Sequence, residues 1–340
     1  MEGDATRRIV VGFDGSPPSH RALRWAAAEA TQRGIRLDVV HAWTAPYPLS
    51  TNELFQDPSP FEESARNFVD RAVASIVTDD PAPRDVRAVL VNDNAASALL
   101  NAAEGAELLV VGSRGHGGFT GLLLGSVSQH CVQHSRCPVA VIPPAWTAVG
   151  HGRIVVGVDD SEPSYAALHF AIAAAGRRGA RLDIVNAFDY PQPVSPIGPL
   201  ARFDFDGQAN ANRNALERMV EPALGSAEVR PTTVDLIVVA GRAARALIEA
   251  AQGADLLVIG SRGRGGFQGL LLGSTSQQCV HHAPCPVVVV RPISIRVPEP
   301  TTHACASSPN DLTNDLTSVE PFRGSVERGQ HARARAIATR

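Results

Sequence analysis

The chain has no lysine: all 31 of its basic residues are arginine. A Walker-type phosphate loop, a protein kinase, a Schiff-base enzyme and a pyridoxal enzyme each need a lysine, so none of these chemistries is available. Cysteine is scarce, with Cys131, Cys137, Cys279, Cys285 and Cys305 the five present. Their spacing is neither the C-x-x-C of zinc ribbons and redox motifs nor a small secreted framework, which predicts reduced, mostly buried thiols. No apolar run approaches the length of a membrane span, and the polar, acidic N-terminus is not a secretory signal. A cytoplasmic location without membrane attachment is expected. The formal net charge of −3 gives no electrostatic reason for a nucleic-acid partner. His41, His116, His130 and His134 do not recur as a set further along, where Arg264 and Gln278 replace His116 and His130. No metal site is therefore expected on protein side chains.

A length of 340 residues allows about two domains, each able to bury its own core. The apolar fraction of 44% and charged fraction of 19% are those of a soluble globular protein. An internal repeat decides the architecture. Ile9-Val-Val-Gly-Phe-Asp14 returns as Ile154-Val-Val-Gly-Val-Asp159, and Arg36-Leu-Asp-Val-Val returns as Arg181-Leu-Asp-Ile-Val, both at an offset of 145. Residues 112–139 match 260–287 at an offset of 148, with 21 of 28 positions identical. The extra residues of the second copy fall in its proline-rich stretch at 191–198. The domains are drawn at residues 1–146 and 151–292.

Within a copy, short β-branched runs alternate with longer amphipathic stretches, the pattern of βα units around a parallel sheet. In the first copy, strands are predicted at 9–13, 37–42, 86–91, 108–112 and 139–142, and helices at 18–32, 58–77, 95–103 and 126–134. Ser16, with Pro17 or Pro18, starts the first helix and Gly34 ends it; Ser161, Pro163 and Gly179 do the same in the second copy. Such alternation implies right-handed crossovers and open, doubly wound, Rossmann-like sheets. From 293 to 340 the periodicity stops and Ser, Thr, Pro, Ala and Arg dominate, the composition of a disordered tail.

Chemistry concentrates in Gly112-Ser113-Arg114-Gly115, nine residues, Gly125-Ser126, repeated as Gly260-Ser261-Arg262-Gly263, nine residues, Gly273-Ser274. Each segment follows an apolar strand and ends at a helix start. Glycines there offer a phosphate backbone N–H groups in the needed conformations without Cβ obstruction. The helix beginning at Ser126 or Ser274 adds unpaired N–H groups, a positive dipole end and a hydroxyl. Without lysine, the backbone, the serines and Arg114 or Arg262 are left to offset anionic charge. Gly117, Gly118, Gly265, Gly266, Thr275 and Ser276 fall in the same segments and are candidates with them. Leu122-Leu-Leu124 and Leu270-Leu-Leu272 read as packing.

In these motifs the chain resembles the universal stress protein family in its tandem, actinobacterial-like form. Gly-x-x-Gly, nine residues, Gly-Ser matches that family's ATP-binding branch in both copies, and Val-Gly-Phe-Asp14 and Val-Gly-Val-Asp159 match its first strand and acidic residue. The resemblance covers about residues 7 to 292. It implies an adenine nucleotide alpha hydrolase-like fold with strand order 3-2-1-4-5, the last strands meeting where two domains pair. It implies further that Gly12, Asp14, Gly157 and Asp159 lie near the adenine and ribose of ATP, that the backbone around His41-Ala42 and Asn186-Ala187 meets the adenine edge, and that the glycine loops hold ribose and phosphates. Asp160 departs from Gly15 of the first copy, with altered loop geometry or repulsion of phosphate expected there.

The function expected is that of a regulator in stress or dormancy that binds one ATP per domain, with Mg²⁺ held by phosphates and water. A dimer and an unidentified regulatory protein are the expected partners. No nucleophile, repeated general base or lysine suits turnover, so no catalytic residue is named and hydrolysis is slow at most. Three other readings stand beside it. An ATP pyrophosphatase or adenylate-forming enzyme needs a Ser-Gly-Gly-x-Asp-Ser loop where Asp14-Gly-Ser stands. A phosphoacceptor receiver rests only on Asp159-Asp160 and needs a lysine. A ligand-free dimerisation module leaves both glycine loops unexplained.

Overall fold

A computed structural model describes residues 7–44, 59–77, 82–116, 124–147, 150–189, 205–265 and 271–292. The tail, the loop at 191–198, Cys305, Gly117, Gly118, Gly266, Leu122 and Leu270 lie outside the described residues. The first half runs β1 (Arg8–Gly12), α1 (Pro17–Arg33), β2 (Arg36–Trp43), α2 (Ser59–Val77), β3 (Val86–Asn92), α3 (Ala95–Ala102), β4 (Leu108–Gly112), α4 (Ser126–His134) and β5 (Val139–Ile142). The second repeats it as β6 (Arg153–Gly157), α5 (Glu162–Arg178), β7 (Arg181–Phe188), α6 (Phe205–Gly225), β8 (Val234–Ala240), α7 (Ala243–Ala250), β9 (Leu256–Gly260), α8 (Ser274–His282) and β10 (Val287–Val290). Predicted and observed bounds agree within about a residue or two, the scatter expected at frayed ends.

Local chemistry explains the helix limits. The Ser16 hydroxyl accepts the Ser19 N–H at 3.3 Å, prolines occupy the first turn of α1, and Gly34 closes it at φ 65°. In α5 the Ser164 hydroxyl accepts the Ser161 N–H at 3.2 Å and Gly179 ends the helix at φ 56°. Only a residue without Cβ takes that left-handed closing conformation at no cost.

The sheet order is β3-β2-β1-β4-β5-β10-β9-β6-β7-β8, so each half has the expected order 3-2-1-4-5. Pairing within each half is parallel. The halves join through an antiparallel β5–β10 pair, with Val141 opposite Val287 and Val139 opposite Val289. Because alternate residues of a strand face opposite sides, Ile9 and Val11 enter one core and Val10 the other. Each core continues across both halves. One is packed by residues of α1, α2, α5 and α6, the other by residues of α3, α4, α7 and α8.

A buried ion cluster crosses the same junction. Glu29 of α1, 2% exposed, accepts from Arg33 Nε at 2.6 Å and pairs with Arg178 and, at 3.9 Å, Arg177 of α5. Burial raises its pKa, but the charges of Arg33 and Arg178 outweigh that and hold the carboxyl below its ordinary value. The four cysteines among the described residues are free and buried, as predicted. Burial pushes Cys131, Cys279 and Cys285 up to about 12, which leaves them inert thiols. No helix of the described residues is long and apolar enough to cross a membrane.

Candidate functional site

The connection after β1 and the connection after β4 meet at the carboxyl ends of adjacent parallel strands, where the strand order reverses. Open α/β sheets carry their ligand clefts at this place. Asp14 joins the two connections. Its Oδ1 accepts the Ser16 N–H at 3.0 Å and the Ser16 hydroxyl at 2.6 Å, while Oδ2 accepts the His116 N–H at 3.1 Å. Burial raises the Asp14 pKa, but hydrogen bonds from Ser16, Ser19 and His116 outweigh it and keep the carboxyl below the usual range. Asp159 repeats the pattern, accepting from Ser161 N at 3.2 Å, Ser161 Oγ at 2.6 Å and Arg264 N at 2.9 Å. An ionised carboxylate has about four acceptor positions, so each aspartate retains room for a further donor. It has none to give, which suits a ligand's amino or hydroxyl group and not its phosphates.

None of Gly112, Gly115, Gly125, Gly260, Gly263 and Gly273 has a positive φ; Gly112, Gly115, Gly260 and Gly263 are required for close approach, whereas a Cβ at Gly125 or Gly273 would meet only ordinary contacts at 3.4 Å. A Cβ at Gly112 would stand 2.8 Å from the Pro18 backbone, and one at Gly260 equally close to Pro163. At Gly115 and Gly263 a Cβ would collide with Asp14 and Asp159. Gly12 and Gly157 face Leu99 and Leu247 at 2.9 and 2.8 Å. The expectation that these glycines supply special conformations is thus corrected: they let the helix starts and aspartates seat against the loops. The loops are pinned beneath. Gly125 N–H donates to Ser113 O at 2.7 Å and the Ser128 hydroxyl to Gly112 O at 2.6 Å, with Gly273 to Ser261 O at 2.8 Å and Ser276 to Gly260 O at 2.7 Å in the second half. Gly125 and Gly273 are N-cap residues that bring no side-chain cap to α4 and α8. The first-turn N–H groups are therefore left for another acceptor.

The first cleft encloses about 480 Å³, within the range of about 300–1,000 Å³ usual for small-molecule sites. Gly12, Asp14, Ala42, Gly112, Arg114, Gly115, Gly125 and Ser126, candidates from the sequence, all line it. The second encloses only about 70 Å³, lined by Gly157, Asp159, Ala187, Gly260, Arg262, Gly263, Thr275 and Ser276 among others. Ser113 and Ser261 are buried and stand on neither wall; they anchor the loop through their backbones. Gly265, Gly273 and Ser274 do not line the second cleft either. Sequence reasoning missed the apolar floor of Val40 and Leu99, repeated as Val185 and Leu247. The repeat offset alone carried a signal for it, since Leu99 and Leu247 are 148 apart.

The mouths of the clefts differ. Gly15, at φ 81°, packs under Phe68, in a group where Phe68 also neighbours Phe13 and His41. Its counterpart Asp160 takes nearly the same conformation at φ 63°, alone among the described non-glycine residues. The sequence led us to expect a distorted loop or repulsion there. The loop is kept, and the Asp160 carboxylate is matched by Arg264 and by the Tyr165 hydroxyl at 2.8 Å. These partners replace His116 and His20 of the first half. A further stitch runs from Ser161 Oγ to Arg262 O at 3.3 Å. Elsewhere the substitution preserves a contact: His41 Nδ1 and Asn186 Nδ2 each bond the carbonyl after β1 or β6, at Phe13 and Val158, at 2.8 and 2.9 Å.

Fold and cleft together define a tandem, doubly wound α/β protein with one switch-point cleft in each half. The universal stress protein family matches the chain twice, over residues 5–143 and 150–291, and the chain belongs to that family. Two Mycobacterium tuberculosis relatives are similar over nearly their whole length. Universal stress protein Rv1996 is 35% identical, covering 83% of this chain and 94% of its own, and Rv2005c is 36% identical, covering 83% and 96%. Among solved structures, a universal stress protein from Archaeoglobus fulgidus matches with a TM-score of 0.63 at 19% identity, over 85% of this chain and 99% of that one. A putative universal stress protein from Pseudomonas aeruginosa matches at 0.54 and 18%, over 85% and 94%. At those identities the likeness is one of fold.

Proposed function

We propose that the protein binds one ATP in each half, with Mg²⁺ held by the phosphates and water, and acts as a nucleotide-dependent regulator in a stress or dormancy response. The observation that carries this reading is the meeting, at one switch point, of an uncapped helix N-terminus, an arginine-bearing loop and an ionised aspartate. The helix end and Arg114 suit phosphates. Asp14, an acceptor only, suits the amino group of the base or a ribose hydroxyl. Ala42, Val40 and Leu99 offer an apolar bed for the ring. In the second half Asp159, Arg262 and Thr275 take the same parts in a tighter cleft.

Binding, not turnover, is the proposed activity, because Asp14 and Asp159 are engaged in bridging the two connections, and His116, on the wall of the first cleft, has Arg264 as its counterpart in the second half. The protein then works in the cytoplasm as a homodimer and passes its nucleotide state to a regulatory protein. The test is to denature freshly purified protein and identify what is released by mass spectrometry, then titrate emptied protein with ATP and Mg²⁺. ATP bound in both halves, lost from the double variant Gly115→Val with Gly263→Val, is expected. An empty protein that takes up no ATP would overturn the reading.

A further inference from the structure

Arg291 follows β10 directly, and one nitrogen of its guanidinium reaches both halves. Nη2 donates to Val132 O at 2.8 Å and Gln133 O at 2.6 Å in the last turn of α4, and to Leu271 O at 2.9 Å. Those two helix carbonyls belong to the group that a helix leaves without internal partners, and a cation there also complements the negative end of the dipole. Cys131 O is already taken by the Ser135 N–H at 2.9 Å. Leu271 lies two residues before Gly273, whose N–H closes the second glycine loop onto Ser261. The other end of α4 is the wall of the first cleft, at Gly125 and Ser126. A single side chain therefore ties the far end of the first half's anion-facing helix to the loop of the second cleft.

The tie has no mirror image. Under the repeat, Arg291 corresponds to Pro143, which has no donor. Electrostatics connect Arg291 to the second cleft as well. It is about half buried, and after burial the positive charge of Arg262, which lines that cleft, is what pushes its pKa down.

We propose that Arg291 is a positioning residue that couples the two clefts, so that a nucleotide in either one tightens binding in the other. The proposal rests on the nucleotide reading above. Phosphate in the second cleft screens Arg262, which lifts the repulsion on Arg291 and firms its hold on α4. A firmly held α4 keeps its N-terminal N–H groups aimed into the first cleft. By linkage the effect is reciprocal and of equal size in both directions.

The test uses the full chain in three forms: the parent, Gly115→Val to disable the first cleft and Gly263→Val to disable the second. Each is prepared with and without Arg291→Met. Equilibrium dialysis with ATP and Mg²⁺ gives the overall two-site constant of the parent and the single-site constants of the disabled forms. Their ratio is the coupling factor, expected at about five in the parent, the lower end of usual allosteric coupling. In Arg291→Met it should fall to about one; because the ratio divides out any change in the single-site constants, a merely structural weakening of either cleft would not produce that fall. Arg291→Lys should restore part of it; Arg291→Gln, with one amide donor and no charge, serves if the methionine variant misfolds. A factor of one in the parent, or a factor untouched by every Arg291 variant, would overturn the coupling. ATP bound with no coupling sinks this inference alone, whereas no ATP bound to the parent sinks the nucleotide reading beneath it as well.

Discussion

The two clefts share a backbone and differ at the mouth. In the first, Gly15 lies under an aromatic group of Phe13, His20, His41 and Phe68, and the cavity is about 480 Å³. In the second, Asp160, Tyr165 and Arg264 form a polar clasp between the two connections, and the cavity is about 70 Å³. Both arrangements preserve the strand order, the aspartate bridge and the pinned glycine loop. The difference teaches that the scaffold fixes where a cleft forms, while the three positions beside it, Gly15, His20 and His116 in one half and Asp160, Tyr165 and Arg264 in the other, are free to vary as a matched set. The halves also differ at their junction. Glu29 on α1 gathers arginines from both halves, whereas its counterpart on α5 is Ala174.

The largest expected effect breaks that junction. Glu29→Ala leaves Arg177 and Arg178 crowded beside Arg33, with only Glu107, 3.4 Å from Arg33, as a carboxylate partner, and removing one partner of a buried pair costs about 3–5 kcal/mol; urea unfolding should register it in the full chain. The pH dependence has the same origin. Because the folded pKa of Glu29 lies below its ordinary 4.5, the stability it contributes is complete above about 4.5 and is lost as pH falls through the depressed value. Melting temperatures followed from about pH 6 to about pH 3 should drop, and Glu29→Gln should flatten part of that drop. A profile unchanged by Glu29→Gln would place the acid sensitivity elsewhere.

Exchanging the mouth residues sharpens the comparison at smaller cost. Gly15→Asp would drive a Cβ to 2.4 Å from Phe68, and overpacking of this kind costs about 1–3 kcal/mol. The reverse change, Asp160→Gly, removes about 1–2 kcal/mol of left-handed strain and loses an exposed ion pair worth about 0–1 kcal/mol. Its net effect on stability is therefore slight. ATP should bind the opened second cleft more tightly than the parent's, measured by dialysis in a chain whose first cleft is disabled; an unchanged constant would show that the clasp does not govern access. The smallest effect is expected for His41→Asn, which imitates Asn186, keeps the bond to Phe13 O and gives up only the ring contact with Phe68. An aromatic pair of this kind is worth about 0.5–1.5 kcal/mol, readable as a small shift in the unfolding midpoint.

Much of this molecule was legible in the chain because its signals are local or repeated. Ser16, Pro17 and Gly34 mark the limits of α1 through bonds within a few residues. The repeat located both glycine loops, and the β-branched runs gave the strands. The reasons for the glycines were not legible. Gly112 answers to Pro18 and Gly12 to Leu99, partners far apart in sequence. The partner of Asp160 was not legible for the same reason, since the arginine that matches it comes 104 residues later.

By itself the sequence determined that there are two copies of one βα-alternating domain, where their helices start and stop, and which loops can face an anion without lysine. Capping, periodicity and turn chemistry act between neighbours, so a linear chain displays them. Only the tertiary structure decided the antiparallel register in which β5 and β10 join the copies, that Asp14 and Asp159 spend most of their acceptors on the loops they bridge, and that Arg291 spans from α4 to the second loop. The bonds from Asp14 to His116, from Asp159 to Arg264 and from Arg291 to α4 join residues 100 or more apart, and folding alone brings such partners within reach.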